Sequence, residues 1–283
     1  MGVRTAVITG ATSGIGRVGA RAIAQAGYGL LLPCRNVDKG EQVAKEIRAG
    51  VPGAFVEVLD CQFDQLASVQ ACARSIATRY PDIDLLVNNA GYAPLKLELS
   101  ADGIEKSFAV NHLAHFVLTR HLLPALKAGD GGRIVHTSSE AALGDGPGFL
   151  DDVNYEQNRF RFFKAYSNTK LANLWFSNML ARELADSRVT SNAFHPGRVA
   201  TDIWPTAHWY QRLLITPLKK LYLISPEQGA RPLVMLALDE AMAGRSGCFL
   251  FETREYEQPE KALNQDCQAR LWSVSERLAG AYL

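Results

Sequence analysis

A tyrosine and a lysine four positions apart, Tyr166 and Lys170, are the residues of this sequence best suited to acid–base chemistry. A free phenol has a pKa near ~10 and is a poor acid or base at neutral pH. The segment that follows, Leu171 to Leu184, has few helix breakers, and residues four apart share one face of a helix. A lysine ammonium on that face favours the phenolate and lowers the tyrosine pKa. The pair therefore predicts a proton-transfer site on a helix.

A glycine-rich turn near the N-terminus predicts a second chemical function, the binding of a pyrophosphate. The stretch Thr9 to Gly16 reads Thr-Gly-Ala-Thr-Ser-Gly-Ile-Gly; it follows an apolar run and precedes a segment of helical periodicity. Glycines at this spacing let the backbone turn sharply and approach a dinucleotide, whose charge the helix N-terminus stabilises. An ordinary strand-to-helix turn has a similar sequence, so the cofactor interpretation depends on the turn and the Tyr–Lys pair occurring together.

These two features need a scaffold, and the rest of the sequence indicates which one. Apolar runs predict strands at 3–9, 29–34, 54–60, 83–88, 132–138, 189–195 and 247–252, with helices between them and a last helix near 261–279. The alternation predicts an α/β fold, a Rossmann-type doubly wound parallel sheet of about seven strands with helices on both faces. Pro33 lacks the N–H of a ladder bond, so we expect the second strand to end or fray there.

Several short motifs occur in a fixed order along the chain. They are Thr-Gly-x3-Gly-x-Gly at 9–16, Asn-Asn-Ala-Gly at 88–91, Asn111, Ser138-Ser139, Tyr166-x3-Lys170 and Pro196-Gly197. On these motifs the chain resembles the short-chain dehydrogenase/reductase family along nearly its whole length. Cys34-Arg35-Asn36 and the stretches 111–116 and 166–173 are most similar to the branch of retinol dehydrogenases and WW-domain oxidoreductases. The resemblance implies an oxidoreductase that interconverts an alcohol and a carbonyl by hydride transfer.

The resemblance also implies roles for individual residues. The catalytic tetrad would be Asn111, Ser139, Tyr166 and Lys170. Tyr166 would exchange a proton with the substrate oxygen, and Ser139 would hydrogen-bond that oxygen. Lys170 would hold the nicotinamide ribose, and Asn111 would hold a water beside it. The cofactor-binding residues would be Gly10, Thr12, Ser13, Gly14, Ile15, Gly16, Arg35, Asp60, Cys61, Asn88, Ala90, Gly91, Tyr166, Lys170, Pro196, Gly197, Val199 and Thr201.

The end of the second predicted strand indicates which nicotinamide cofactor is used. NAD-preferring relatives carry an acidic residue there, which binds the adenosine ribose hydroxyls and repels a 2′-phosphate. This chain has Cys34, followed by Arg35, whose guanidinium can bind a phosphate bidentately. Ser13 and Arg17 are expected to add a hydrogen bond and a charge. We therefore predict NADP(H), the alternative being an Arg35 that is merely solvated at a strand end.

Composition narrows the class of protein further. Apolar residues make up 47% of the chain and the net charge is +1, so no nucleic-acid surface is indicated. The five cysteines show no metal or redox spacing, and no apolar run is long enough to span a membrane. We expect one cytoplasmic domain comprising residues 1–283. His112 and His115 lie one helical turn apart, but no further ligand stands at metal-binding spacing, so no metal site is expected.

Two segments, 140–165 and 200–226, correspond to substrate loops in the family. Their aromatic residues are Phe149, Tyr155, Phe160, Phe162, Phe163, Trp204, Trp209, Tyr210 and Tyr222. Either these residues form an apolar wall for a bulky alcohol or carbonyl, or they pack the loops against the body or another subunit. Shallow peripheral membrane contact by the segment from Trp204 to Ile224 is a third alternative.

Two questions stay open at the level of sequence. The segments 104–127 and 165–184 are apolar around much of their circumference, which favours a homo-oligomer, although a helix sandwiched within one subunit has the same pattern. A C=C reductase on the same scaffold, or a non-catalytic NADP(H)-binding regulatory protein, are the alternative functions. An intact tetrad argues against the regulatory protein.

Overall fold

Eight strands of the described chain form one sheet in a computed structural model that describes residues 4–143, 146–197 and 224–283. The strands are β1 Thr5–Ile8, β2 Gly29–Cys34, β3 Val56–Asp60, β4 Leu85–Asn88, β5 Arg133–Thr137, β6 Thr190–His195, β7 Phe249–Phe251 and β8 Arg254–Glu255. Their order is β3-β2-β1-β4-β5-β6-β7-β8, and all neighbouring pairs are parallel except β7 and β8. The predicted Rossmann-type parallel sheet is confirmed.

The antiparallel strand β8 is the element that the sequence prediction lacked. It has two residues, Arg254 and Glu255, and pairs with β7 through a tight turn in which Glu252 has φ +54°. Two residues are too few to show the alternation by which a strand is recognised.

Helices cover both faces of the sheet. They are α1 Gly14–Gln25, α2 Val37–Gly50, α3 Leu66–Arg79, α4 Lys106–Phe108, α5 Ala114–Ala128, α6 Phe162–Glu183, α7 Pro226–Leu238, α8 Glu260–Leu263 and α9 Gln265–Ala279. The strands β1 and β2 alternate between two cores: Ile8 and Leu30 pack on the side of α1, α2 and α7, whereas Val7 and Leu31 pack on the side of α3, α5 and α6. Both faces are buried, as is typical of parallel sheets.

Pro33 lies inside β2, so the expectation that the strand ends there is wrong. It pairs in register with Leu59 of β3, and Cys34 continues the strand. The amide of Leu30 donates to Phe55 on the β3 side, and backbone groups alternate sides along a strand. The nitrogen of Pro33 therefore faces the β1 side, where the pairing of β1 with β2 has already ended at Leu31.

The C-terminal helix α9 packs across α5 and α6. His112 Nε2 lies 2.7 Å from the Ser275 hydroxyl, Phe116 meets Trp272 edge-on at 5.1 Å, and Arg120 pairs with Glu276 at 3.2 Å. This apolar surface of the two helices is thus covered within the subunit. No helix of the described ranges combines the length and apolar character needed to cross a membrane.

Candidate active site

A cleft of about 1300 Å³ opens at the carboxyl ends of the strands, where the strand order reverses between β1 and β4. Ligands of doubly wound sheets bind at this switch point. The lining includes the predicted residues Gly10, Thr12, Ser13, Gly14, Ile15, Arg35, Ala90, Gly91, Ser139, Tyr166, Lys170, Pro196 and Gly197. The fold therefore brings the glycine turn and the Tyr–Lys pair to one site.

At one end of the cleft, the glycine turn leaves backbone exposed to a ligand. Gly10 has φ +67°, and a Cβ there would stand 2.8 Å from the Cα of Ala90. A Cβ on Gly16, which lies beneath the lining, would collide with the Gly10 carbonyl oxygen. Ser13 begins α1 without a capping hydrogen bond from its side chain, and the first turn holds no acidic residue. The positive end of α1 is thus left to an anion.

Beyond the turn, the loop after β2 brings two cations to the cleft. Arg35 and Lys39 are exposed and line it together with Cys34 and Asn36. Asn36 accepts the Lys39 N–H at 2.9 Å and begins α2, which places Lys39 in the first helical turn. Burial raises the pKa of the Cys34 thiol to about 11, so this strand end carries no negative charge. Lys39 is a residue that the sequence analysis missed, and the signal for it is the Asn cap three residues earlier.

Four other predicted residues have partners or positions outside the described cleft lining. Arg17 forms an ion pair with Glu46 on α2. Asp60 accepts a hydrogen bond from the Gln62 side chain at 2.7 Å, and Cys61 is fully buried. Asn88 is buried and donates to Thr119 at 2.9 Å. Among the described residues, none of Arg17, Asp60, Cys61 and Asn88 belongs to the cleft lining.

Asn89, rather than Asn88, carries the polar contacts at the end of β4. Its Nδ2 donates to the carbonyl oxygens of Thr9 at 3.1 Å and Gly10 at 3.3 Å, and its Oδ1 accepts from the Thr137 hydroxyl at 3.1 Å. These bonds fix the ends of β1, β4 and β5 to one another. Neighbouring strand residues point to opposite faces, and the sequence does not show which asparagine faces the cleft.

At the other end of the cleft, α6 presents Tyr166 and Lys170. The two side chains are 8% and 2% exposed, and Lys170 Nζ lies 5.6 Å from the centre of the Tyr166 ring. Nζ donates to the Thr137 carbonyl oxygen at 3.2 Å. The predicted helical face shared by the pair is therefore present, and burial isolates it from bulk water.

The pKa values of this pair follow from burial. Burial raises the pKa of Tyr166 to about 12, although the hydrogen bond with the Ser139 hydroxyl lowers it. Burial also lowers the pKa of Lys170 to about 8. The expected depression of the phenol pKa by Lys170 is thus outweighed, since both charged forms lose their hydration. The phenol is therefore protonated at neutral pH.

The hydroxyls of the two serines after β5 make different hydrogen bonds. The Ser138 hydroxyl donates to the Lys170 carbonyl oxygen at 2.8 Å and so joins β5 to α6. The Ser139 hydroxyl bonds Tyr166 and accepts the Ala141 N–H at 3.1 Å. Ser139 is therefore the serine that stands beside the phenol, as the family pattern implies.

Asn111 lies in a π-helical segment, Ala109–Leu113, between α4 and α5. Its side chain is fully buried and lies outside the described cleft lining. Nδ2 donates to Tyr92 O at 2.9 Å and Thr169 Oγ1 at 3.0 Å, and Oδ1 accepts the Tyr92 N–H at 2.6 Å. The amide thus joins the loop after β4 to α6. π-Helical turns occur often at functional sites.

The loop after β6 also lines the cleft. Gly197 has φ +83°, and its N–H donates to His195 Nδ1 at 3.2 Å. His195 Nε2 lies 3.8 Å from a carboxylate oxygen of Glu140. Both of these polar residues line the cleft, and the sequence analysis did not single out either. The predicted Val199 and Thr201 lie outside the described residues, as does nearly all of the segment 200–226.

The cleft lining also contains a set of apolar residues. It includes Ala93, Pro94, Leu95, Val110 and Phe163. Leu95 and Phe163 are 61% and 60% exposed, so apolar surface lies open at the mouth of the cleft.

Other aromatic residues of 140–165 pack against the protein itself. Phe149 stacks on Trp175 at 6.0 Å, and Tyr155 meets Phe160 edge-on at 5.2 Å. Of the aromatic residues of this segment, Phe149, Tyr155 and Phe160 thus pack against other rings of the protein, whereas Phe163 lines the cleft. Within the ranges that the structure covers, no group of three or more His, Cys, Asp or Glu residues could hold a metal ion.

Comparisons with known proteins agree with this geometry. Residues 4–151 match the family described as short chain dehydrogenase. Human retinol dehydrogenase 13 is 34% identical over 281 residues, 98% of this chain and 85% of the relative. A solved protein of Mycobacterium paratuberculosis has a TM-score of 0.77 at 31% identity, covering 98% of this chain and 93% of that one.

A second solved structure contains a cofactor. It is a Beutenbergia cavernae protein described as an NAD(P)-dependent gluconate 5-dehydrogenase, with bound NADP at low occupancy. Its TM-score is 0.70 at 31% identity, covering 87% of this chain and 94% of that one. The parallel sheet, the glycine turn and the near full-length match to a retinol dehydrogenase lead to one conclusion. This chain belongs to the short-chain dehydrogenase family of oxidoreductases, in its retinol dehydrogenase-like branch.

Proposed function

We propose that this protein is an NADP(H)-dependent oxidoreductase that interconverts an alcohol and a carbonyl on a bulky, apolar small molecule. The observation that carries the proposal is the composition of one cleft. Ser139 and Tyr166 stand at one end, and Arg35 and Lys39 stand at the other, with the glycine turn between them. A hydride donor with a 2′-phosphate and a carbonyl substrate match this distribution of groups.

The residues present fit a phosphorylated dinucleotide. Side chains at Gly10 and Gly16 would collide with neighbouring protein atoms, so glycine lets the turn pack closely beside the open space of the cleft. The N-terminus of α1 faces that space with no acidic residue in its first turn. Arg35 and Lys39 would hold the 2′-phosphate, and Lys170 would hold the nicotinamide ribose. When bound, this cofactor supplies or accepts the hydride.

The protein's own part in the reaction is to bind the carbonyl and move a proton. In the direction of reduction, the Tyr166 hydroxyl gives its proton to the carbonyl oxygen as that oxygen gains negative charge. When substrate is bound, the Ser139 hydroxyl would redirect its one proton from the phenol to the same oxygen and stabilise its charge. Lys170, which is 2% exposed, adds a positive charge close to the phenolate that forms. A raised phenol pKa keeps this acid protonated at neutral pH.

The substrate class is inferred from the apolar part of the cleft lining. Apolar side chains such as Leu95, Val110 and Phe163 line the same cleft as Tyr166. Burial of apolar surface contributes roughly 25 cal/mol per Å², so a large hydrophobic molecule gains more from this wall than a small polar one. Retinoid, steroid and aromatic aldehydes or ketones are therefore the first compounds to test.

The test is turnover by the purified protein. Each carbonyl compound is offered with NADPH or NADH while nicotinamide absorbance is followed, and the products are identified by mass and retention. We expect reduction of apolar carbonyls with NADPH and formation of the alcohol. A product reduced at C=C would support the other reductase chemistry, and tight NADPH binding without turnover of any compound would support a regulatory protein.

A Lys170→Ala variant separates the two tasks given to this lysine. Because one ammonium is proposed to serve both the phenol and the ribose, both kcat and the affinity for NADPH should fall. A loss confined to kcat would show that Lys170 does not reach the ribose.

A further inference from the structure

His115, the second residue of α5, lies under the floor of the cleft and joins two segments that build it. The side chain is 1% exposed. Its Nε2 is 3.0 Å from the Thr9 hydroxyl oxygen, and its Nδ1 is 3.0 Å from the Asn111 carbonyl oxygen. Thr9 immediately precedes the glycine turn, and Asn111 lies in the π-helical segment. One buried imidazole thus bridges the cofactor-binding turn and the tetrad.

The contacts select one tautomer of the ring. A carbonyl oxygen can only accept, so Nδ1 carries the proton and donates to Asn111. Nε2 is then an acceptor facing the Thr9 hydroxyl. That hydroxyl already accepts the N–H groups of Asn89 at 2.8 Å and Ala90 at 2.9 Å, so its own proton points away from them. Its acceptors are Nε2 and a backbone carbonyl 3.1 Å away.

The opposite tautomer, and the charged ring, both fit worse. With the proton on Nε2, the Nδ1 lone pair would face the carbonyl lone pairs of Asn111. A charged ring would also direct its Nε2 N–H at the Thr9 hydroxyl, whose two lone pairs already accept the N–H groups of Asn89 and Ala90. Burial also lowers the pKa of His115 to about 4 and so favours the neutral form.

The two hydrogen bonds of the His115 ring lead to different parts of the site. On one side, Thr9 holds the amides of Asn89 and Ala90, which follow β4. On the other side, the Asn111 side chain bonds the Thr169 hydroxyl at 3.0 Å, and that hydroxyl donates to the Tyr166 carbonyl oxygen at 2.8 Å. The path therefore connects the dinucleotide loops with the helix that carries the phenol.

We propose that His115 is a positioning residue, whose single neutral tautomer keeps the dinucleotide-binding turn and the acid–base tyrosine in register. The proposal rests on the proposed function, because the register matters only if hydride and proton reach the same carbonyl group. Small misplacements of reacting groups reduce rates strongly.

His112 provides the matched control. It is equally buried and lies three residues earlier, in the π-helical segment that precedes α5, and its ring contacts aromatic neighbours. Its Nε2 pairs with Ser275 of α9, away from the cleft. A histidine that merely fills the core should behave alike at both positions, whereas a positioning residue should matter only at position 115.

Three substitutions dissect the bridge. His115→Asn places an amide near Nδ1 and keeps a donor for Asn111, whereas His115→Gln reaches toward Thr9 and gives up Asn111. His115→Leu removes both bonds. Because one hydrogen bond contributes ~0.5–1.5 kcal/mol, each broken arm should cost about two- to tenfold. We expect His115→Asn to raise mainly the Kd for NADPH, His115→Gln to lower mainly kcat, and His115→Leu to do both.

Hydrogen exchange gives a readout that needs no activity. The amides of Asn89, Ala90 and Tyr92 should exchange faster in His115→Leu than in His112→Leu, after the two variants are matched for global stability. Equal exchange and equal kinetic losses in the two leucine variants would overturn the proposal. So would a fall in kcat together with a rise in the Kd for NADPH in both His115→Asn and His115→Gln. Failure of the proposed function would look different, since the unmodified protein would then lack turnover while the exchange difference remained.

Discussion

The two ends of the cleft are built on opposite principles. At the proposed catalytic end the side chains are buried and hydrogen-bonded within the protein: Tyr166 is 8% exposed, Lys170 is 2%, and Asn111 is 0%. At the other end, where we propose that adenosine binds and which we call the adenosine end, Arg35 and Lys39 are exposed on a loop and a first helical turn. Buried polar groups cost free energy if a partner is removed, whereas exposed charges are only weakly coupled to stability.

This difference predicts how each end responds to change. Substitutions at the buried end should affect the chemical step strongly and should disturb neighbouring segments. Substitutions at the exposed end should alter which cofactor is preferred and leave the fold and the proton transfer intact. The experiments below are ordered by the size of the expected effect.

The largest effect is expected at Tyr166. Tyr166→Phe should lower kcat by about 10²–10⁴-fold and change the Kd for NADPH by no more than a few fold, because the hydroxyl acts in the transition state. Tyr80→Phe is the control, since that hydroxyl bonds Glu57 at 2.5 Å, away from the cleft. Steady-state rates and NADPH fluorescence titration measure the two quantities. Retained turnover with any accepted substrate would reject Tyr166 as the acid.

The buried half should also carry a pH dependence of stability. Burial lowers the pKa of His112 and His136 to about 3 and that of His115 to about 4. These values lie below the unfolded value near ~6.5, so the stabilisation is fully present above that pH and is lost as pH falls toward the folded values. Between pH 7.5 and 5.5 each group should cost about 1.4 kcal/mol, roughly 4 kcal/mol for all three.

Urea unfolding at the two pH values measures this loss. His112→Gln removes one of the three groups, so its loss over the same interval should be smaller by about 1.4 kcal/mol. Equal free energies of unfolding at both pH values would contradict the assignment of three neutral buried imidazoles.

The sequence predicts the two ends of the cleft unequally well. The strands, the glycine turn and the Tyr166–Lys170 face follow from local periodicity and spacing, and these local signals agree with the fold. Local signals do not show which of Asn88 and Asn89 faces the cleft, because adjacent residues at a strand end point to opposite sides of the sheet. Arg17 was predicted at the cleft and pairs with Glu46, a contact between helices that spacing within α1 does not show.

Burial accounts for the other main difference from expectation. Spacing alone indicates that Lys170 lowers the phenol pKa, yet the raised pKa of Tyr166 reflects desolvation by the surrounding core. Desolvation depends on packing from elements far apart in sequence, so a one-dimensional pattern cannot supply it. For the same reason the sequence does not show that α9 covers the apolar surface of α5 and α6.

At the exposed end, cofactor preference should be reversible. We expect NADPH to exceed NADH by at least about tenfold in kcat/KM, since one charge-assisted hydrogen bond contributes roughly 1.5–3 kcal/mol. Cys34→Asp combined with Arg35→Ala should reverse the preference without lowering kcat for the better cofactor. Cys34→Ser, neutral and of similar size, is the control and should leave the preference unchanged. Equal or better use of NADH by the unmodified protein would refute the role of Arg35.

The smallest effect on NADPH binding is expected from two exposed cationic side chains that lie at different positions relative to the cleft. Lys39 lines the cleft beside Arg35, whereas Arg17 is paired with Glu46 and lies outside the described lining. An exposed charge contact contributes ~0.5–1 kcal/mol, so Lys39→Ala should raise the Kd for NADPH by about two- to fivefold. The Kd for NADH should stay the same, and Arg17→Ala should change neither value.

High salt should reduce the effect of Lys39→Ala on the Kd for NADPH, because exposed charges are screened. Fluorescence titration at two ionic strengths measures these constants, and an Arg17→Ala variant that weakens NADPH as much as Lys39→Ala would show that general surface charge, not the placement of Lys39, governs the adenosine end.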